Sequence, residues 1–101
     1  LEFEPPNVNR SNYRFEPVSD SVIRYGLGAI KGTNEGAIAA IVTEREANGP
    51  YSSLFDFCAR VDRTRLNKRT VEALIKAGAF DSLHMNRAAL LASWSATATL
   101  N

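Results

Sequence analysis

Residues 29–38, AIKGTNEGAI, constrain this chain more than any other stretch. Gly32 and Gly36 bracket a Thr-Asn-Glu step, and apolar residues lie on both sides. Two apolar stretches want burial, and the glycines between them let the backbone turn sharply. Glycine reaches positive φ without a steric cost, and asparagine is the ordinary residue that best tolerates the left-handed region. The pattern predicts two helices meeting at a tight corner, with Ile30 inward, Lys31 outward, Gly32 at positive φ and Asn34 left-handed. The first helix, over GLGAI, can only be short, because Gly26 and Gly28 weaken it. The second carries Ile38, Ile41, Val42 and Arg45 at helical spacing and ends near Asn48-Gly49-Pro50.

The unit then repeats. A helix starts after Ser52 or Ser53, where Ser53 with Asp56 three residues on resembles a capping box, and its apolar stripe is Leu54, Phe57, Cys58 and Val61. The stretch DRTRLN interrupts the pattern. Asn67 caps a further helix with Val71, Leu74 and Ile75 on its inner face and Gly78 at its left-handed end. A last helix, capped by Asn86, presents Leu90, Leu91 and Trp94, and the tail SATATLN should fray. In front of the repeats, residues 1–12 carry two prolines and three asparagines and should run extended and irregular. YRFEPV and VIRY, on either side of SDS, form a short two-stranded ribbon with Pro17 at an edge. The expected fold is mostly α, a small tandem helix-corner-helix domain of four to five short helices behind an extended arm or short β-ribbon. The divisions are 1–25 for the arm, 26–95 for the helical domain and 96–101 for the tail.

Such a corner has a use. Free amides at a helix N-terminus, beside glycines that permit close approach, make an anion site. A nucleic-acid phosphate is a suitable anion, and such contacts carry no sequence information. The first corner offers Lys31, Gly32, Thr33, Asn34, Glu35 and Gly36. Glycines at a helix junction are by themselves ordinary turn chemistry, but the second corner adds charge. Arg63, Arg65, Lys68 and Arg69 gather there with Asn67, next to Arg60 and opposed by Asp62. Lys68 and Arg69 fall in the first turn of a helix, where positive charge is unfavourable to the macrodipole. A placement that costs local stability is easier to understand if an anion sits there. The net charge of +1 means that any nucleic-acid surface must come from this local clustering.

Other chemistry finds little support. His84 has no Cys or carboxylate cluster at ligand spacing, so no metal site is read. Asp56, Asp62 and Asp81 are scattered, and no Asp-x-Asp pair exists for two-metal catalysis. Cys58 sits on an apolar helix face and reads as a small buried hydrophobe. As the sole cysteine it fits a reducing setting. GLGAIKG fails the dinucleotide spacing. A lyase or glycosylase built on this motif would want a lysine beyond the second corner, and Lys76 there lacks an obvious pocket. No cofactor and no membrane span is expected. A chain that starts at Leu1 reads as an internal piece of something longer.

The phrases IRYGLGAIKGTNEGAIAAIV (23–42), YSSLFDFCARVD (51–62) and NKRTVEALIKAGAFDSL (67–83) together resemble the alpha-subunit family of bacterial DNA polymerase III, the C-family replicative polymerases. PPNVNRSNYRF before them and NRAALLAS after them are similar as well, so the resemblance covers roughly residues 5–94. It implies a non-catalytic section following the fingers region, with tandem helix-hairpin-helix motifs that hold double-stranded DNA by its phosphates. The implied partners are that DNA, the rest of the polymerase and the replisome, in the cytoplasm. The polymerase carboxylates and the metal-binding phosphoesterase-like domain of that family lie elsewhere. One departure is Asn34, where the family usually has glycine. The second corner lacks glycine and would lean on its side-chain charges. The alternative is a structural spacer with little DNA affinity of its own.

Overall fold

Four helices begin where an asparagine or serine side chain takes an amide that the helix itself leaves open. Asn34 Oδ1 accepts from Ala37 N at 2.8 Å, Ser53 Oγ from Asp56 N at 3.0 Å, Asn67 Oδ1 from Thr70 N at 2.8 Å and Asn86 Oδ1 from Ala89 N at 3.0 Å. These caps start α1 (Glu35–Asn48), α2 (Leu54–Arg60), α3 (Lys68–Lys76) and α4 (Arg87–Thr99). The computed structural model describes residues 2–62, 64–83 and 86–99. Asp56 closes a capping box displaced by one residue, since its carboxylate takes the amide of Ser52 rather than of Ser53, at 3.0 Å. α1 stops at Gly49, with φ 91°, and Pro50 follows. α3 ends in a Schellman turn on Gly78, with φ 87°, where Ala79 N reaches Leu74 O at 3.0 Å and Gly78 N reaches Ile75 O at 3.1 Å.

The apolar stripes read from the sequence meet in one core. Ile38, Ile41, Leu54, Phe57, Val61, Val71, Leu74 and Ile75 are all buried there, with Leu27 and Phe80. Tyr51, Phe57 and Phe80 stack edge to face, with centroids 4.9 and 5.0 Å apart, and the Tyr51 hydroxyl donates to Ile41 O at 2.7 Å. Each of these large side chains contributes about 1.5–3 kcal/mol by leaving water. Cys58 is half-buried at the margin of the core rather than inside it. α4 packs on α3 through Leu90, with Leu91 and Trp94 half-buried.

The amino-terminal region is more ordered than prolines and asparagines suggested. β1 (Glu2–Glu4), β2 (Glu16–Pro17) and β3 (Val22–Arg24) form a sheet in the order β1-β3-β2. The expected ribbon is the antiparallel β2-β3 pair, with Pro17 on an edge strand. The third strand, β1, pairs parallel to β3 within the segment expected to be irregular. Residues 7–11 form no loose arm: Val8 and Ser11 are fully buried, and Val8 N bonds Ala79 O at 3.0 Å. Arg45 secures them from α1, donating to Val8 O at 3.0 Å, Ser11 O at 2.8 Å and Asn12 Oδ1 at 2.8 Å. The prolines interrupt regular structure there but do not prevent burial, because Arg45 satisfies the carbonyls.

Three further differences concern the helices. The first helix of the first pair is a single 3-10 turn, Leu27–Ala29, as its glycines allow. Asn34 is not left-handed: its φ of −143° and ψ of 164° are those of an extended cap residue. Gly36 lies inside α1, not in the turn. α4 continues through Thr99, beyond Trp94, where its apolar face ends, and so includes residues expected to fray.

Candidate nucleic-acid interface

The first corner is built by Gly32 and Thr33. Gly32 takes φ 101°, and a Cβ there would lie 3.1 Å from Ala73 Cβ of α3. Only glycine gives both the turn and the close approach. Thr33 fastens the preceding 3-10 turn: its amide reaches Ile30 O at 3.2 Å, and its hydroxyl lies 2.7 Å from Ile30 O and 3.1 Å from Leu27 O. The Thr33 hydroxyl is thus committed to the fold rather than offered outward. Asn34 occupies the Ala37 amide, and Ile38 N bonds Asn34 O at 3.1 Å. The first-turn amides of Glu35 and Gly36 have no acceptor among the described residues. Lys31 and Glu35 are both exposed, so the corner carries one charge of each sign.

The second corner turns without glycine and, among the described residues, without any positive φ. Asp62 organises it, accepting from the Thr64 amide at 3.0 Å and the Thr64 hydroxyl at 2.7 Å, while Arg65 N reaches Asp62 O at 3.1 Å. These donors hold the Asp62 carboxyl below the usual carboxylate range, with the nearby Arg65 charge adding to the effect. Leu66 is buried and anchors the loop. Arg65, Lys68 and Arg69 are exposed. Lys68 has a loose ion pair with Glu72 at 3.9 Å, whereas Arg65 and Arg69 form no salt bridge among the described residues. Arg63 lies outside the described residues, as does His84.

The two corners touch. The Thr70 hydroxyl, in the first turn of α3, lies 3.3 Å from Gly32 O and 3.0 Å from Asn67 Oδ1. A shallow concavity of about 300 Å³ runs between the two helix starts, lined by Asn34, Gly36 and Ala37 on one side and Thr64, Arg65 and Asn67 on the other. Gly36, whose amide is open, one asparagine cap from each repeat and Arg65 border the same hollow. Of the first-corner residues, Lys31 and Gly32 lie instead along a groove beside α3, with Arg69 and Lys76.

Some charges prove structural. Arg60, counted with the second cluster from sequence, donates to Glu44 and Asp56 at 3.0 Å each and to the carbonyls of Gly49 and Pro50, and covers the Tyr51 ring at 4.5 Å. The Ser52 amide and then the Arg60 bonds hold the Asp56 carboxyl down, and the guanidinium is committed to these partners. Thr64 and Ala37 border the hollow and were missed. Neither residue type signals binding alone, but Thr64 follows an Asp by two residues, an Asx-turn spacing. Lys76 does face a groove, contrary to the sequence expectation. No group of three metal-ligating side chains occurs among the described residues, and no helix of those residues is long and apolar enough to cross a membrane.

Comparison with known proteins agrees with this geometry. Residues 1–90 match the family described as the helix-hairpin-helix motif. The chain is 54% identical over 93 residues to the DNA polymerase III subunit alpha of Neisseria meningitidis serogroup A, covering 92% of this chain and 8% of that protein. To the protein of the same name from Pseudomonas aeruginosa it is 50% identical over 101 residues, covering 100% of this chain and 9% of that one. To that of Escherichia coli K12 it is 48% identical over 93 residues, covering 92% and 8%. The chain therefore spans less than a tenth of the length of these curated relatives.

Proposed function

This chain belongs to the helix-hairpin-helix family, and from that premise we propose that it holds duplex DNA by its phosphates, without sequence preference, as a non-catalytic section of a bacterial replicative DNA polymerase alpha subunit. The observation that carries the reading is the shared hollow. The open amide of Gly36 at the start of α1 and the cap Asn34 lie on one side of it, and the cap Asn67 with Arg65 on the other. Amides and a guanidinium are what a phosphate oxygen accepts from, and none of them reads a base edge.

Each corner has its own part. Gly32 shapes the first, and Asn34, Glu35 and Gly36 bring backbone donors, with Lys31 adding charge at longer range. Thr33 keeps the turn rigid. At the second, Asn67 starts the helix and Arg65, Lys68 and Arg69 supply cations, with Arg63 joining them by its place in the sequence. Residues 26–95 make up the binding domain, and residues 1–25 lead into it. Duplex DNA, the remainder of the polymerase and the replisome are the partners, and the cytoplasm is the compartment where replication places them.

Fluorescence anisotropy with labelled duplexes of unrelated sequence, at low and moderate salt, tests the reading. Binding should be sequence-blind and weaken as salt rises, with a log-log slope of roughly −0.9 per phosphate contact and a Kd of about 10⁻⁴ M or weaker in physiological salt. Absence of binding at low salt, with the helical circular dichroism intact, would leave the spacer reading. One observation favours that alternative: Phe3, Phe15 and Val18 are 58%, 43% and 45% exposed near the sheet, available to a neighbouring protein surface.

A further inference from the structure

An open groove of about 730 Å³ lies beside the first corner, along α3. Its floor is made of small residues, Gly32, Ala73 and Ala77, and its walls carry Lys31, Arg69 and Lys76. Arg69, Ala73 and Ala77 follow one another at four-residue spacing, so one face of α3 lines the groove along its length. Glu72 is the carboxylate in this groove, and it leans to Lys68 at 3.9 Å. None of the three cations has an ion-pair partner among the described residues. Three positive charges thus share a channel with one carboxylate that is already drawn to a fourth.

We infer that this groove is a second phosphodiester track, beside the corner hollow, in which Lys76 is the outermost phosphate contact. The inference rests on the DNA-binding reading above. Arg69 and Lys76 stand seven residues apart on one helix, a rise of about 10.5 Å. Duplex DNA advances about 3.4 Å per nucleotide along each strand, so these two side chains reach different phosphates rather than crowding one. Gly32 lines this groove and Asn67 lines the hollow, and the Thr70 hydroxyl lies 3.3 Å from Gly32 O and 3.0 Å from Asn67 Oδ1, so the two surfaces are neighbours. A long, open channel with cationic walls and a methyl-lined floor suits an extended polyanion better than a small enclosed ligand. The position of Lys76 in the last turn of α3 is also favourable to the helix macrodipole, so the test must read binding and not stability.

Salt-dependent titration of the whole 101-residue chain with labelled duplex DNA, between roughly 50 and 200 mM salt, provides that readout. Lys76→Gln keeps most of the stem and removes the charge at an exposed helix end, so the fold should be unaffected. It should lower the magnitude of the slope by about 0.9, equally for unrelated sequences. Arg65→Ala should also lower the slope, by way of the corner. Arg10→Ala, in the turn held at the far end of α1, should leave it unchanged. An unaltered slope for Lys76→Gln beside a lowered one for Arg65→Ala would overturn the track and leave the corner reading standing. If the unsubstituted chain shows no salt-dependent binding, the corner reading fails first and the track fails with it.

Discussion

The two corners end alike and begin differently. Both lead to an asparagine cap in extended conformation, Asn34 and Asn67, each accepting from the third amide of its helix at 2.8 Å. Both bury the third and fourth residues of the helix, Ala37 with Ile38 and Thr70 with Val71. Two positions before each cap they diverge: one has Gly32 at positive φ against α3, the other an exposed Arg65 in ordinary backbone. The first turns follow suit, Glu35-Gly36 against Lys68-Arg69. The first corner presents backbone and gets its shape from glycine. The second is shaped by an Asp-Thr turn and presents side-chain charge. On the proposed reading, one helix-start geometry would meet phosphate in two chemical ways.

The largest test of that contrast is steric. Gly32→Val forces a β-branched residue into positive φ and pushes a Cβ toward Ala73. It should cost about 2–3 kcal/mol by urea denaturation. Arg65→Val, at the matching position, should change stability by less than about 0.5 kcal/mol. Equal losses at the two sites would break the comparison.

The caps test the likeness rather than the difference. Asn34→Ala and Asn67→Ala should each cost about 1 kcal/mol in the same assay. Asn67 should cost the more, since its Oδ1 also holds the Thr70 hydroxyl that reaches the first corner. A negligible loss at Asn34 would show that its side chain is not the cap that the geometry describes.

The charges come next. Lys68→Ala with Arg69→Ala removes two cations from a helix start, where they oppose the macrodipole, and gives up one loose ion pair. Stability should stay within about 0.5 kcal/mol of the unsubstituted chain. The DNA salt slope should fall by about 1.8 in magnitude. A stability loss without a change in slope would mean that these residues serve the fold alone.

How far the sequence disclosed this depended on whether a residue acts locally or at a distance. The helix starts at Ser53, Asn67 and Asn86 and the left-handed end at Gly78 were legible, because caps and Schellman turns are short-range devices. Asn34 was placed at the right corner but in the wrong conformation. Its tolerance of the left-handed region was weighed above its strength as a cap, although Asn67 occupies the same place in the repeat. Arg45 and Arg60 were hidden by range. Arg45 reaches carbonyls 34 and 37 residues away, and Arg60 joins α1 to α2 through Glu44 and Asp56. No periodicity reports such pairings. The groove beside α3 was equally unreadable, since Lys31 and Lys76 are brought together only by the packing of the first corner on α3.

Acid should separate the corners most finely. The bonds that shape the first corner come from amides, carbonyls and the Thr33 hydroxyl, none of which titrates. Those of the second depend on ionised Asp62, whose carboxyl the Thr64 donors hold below its ordinary value. A carboxyl with a depressed folded pKa adds stability that is fully present above its unfolded value, about 3.9, and disappears as pH falls through the lower folded value. Hydrogen exchange at the Thr64 amide should therefore gain relative to that of Thr33 as the solution is taken below about pH 4, once each is corrected for its intrinsic rate. Asp56, held down by Ser52 and Arg60, loses its bonds in the same direction, so Asp56→Asn serves as the background in which to repeat the measurement. If Thr33 and Thr64 lose protection together in that background, the second corner is held by packing around Leu66 and not by its carboxylate, and the two corners differ less in construction than their sequences do.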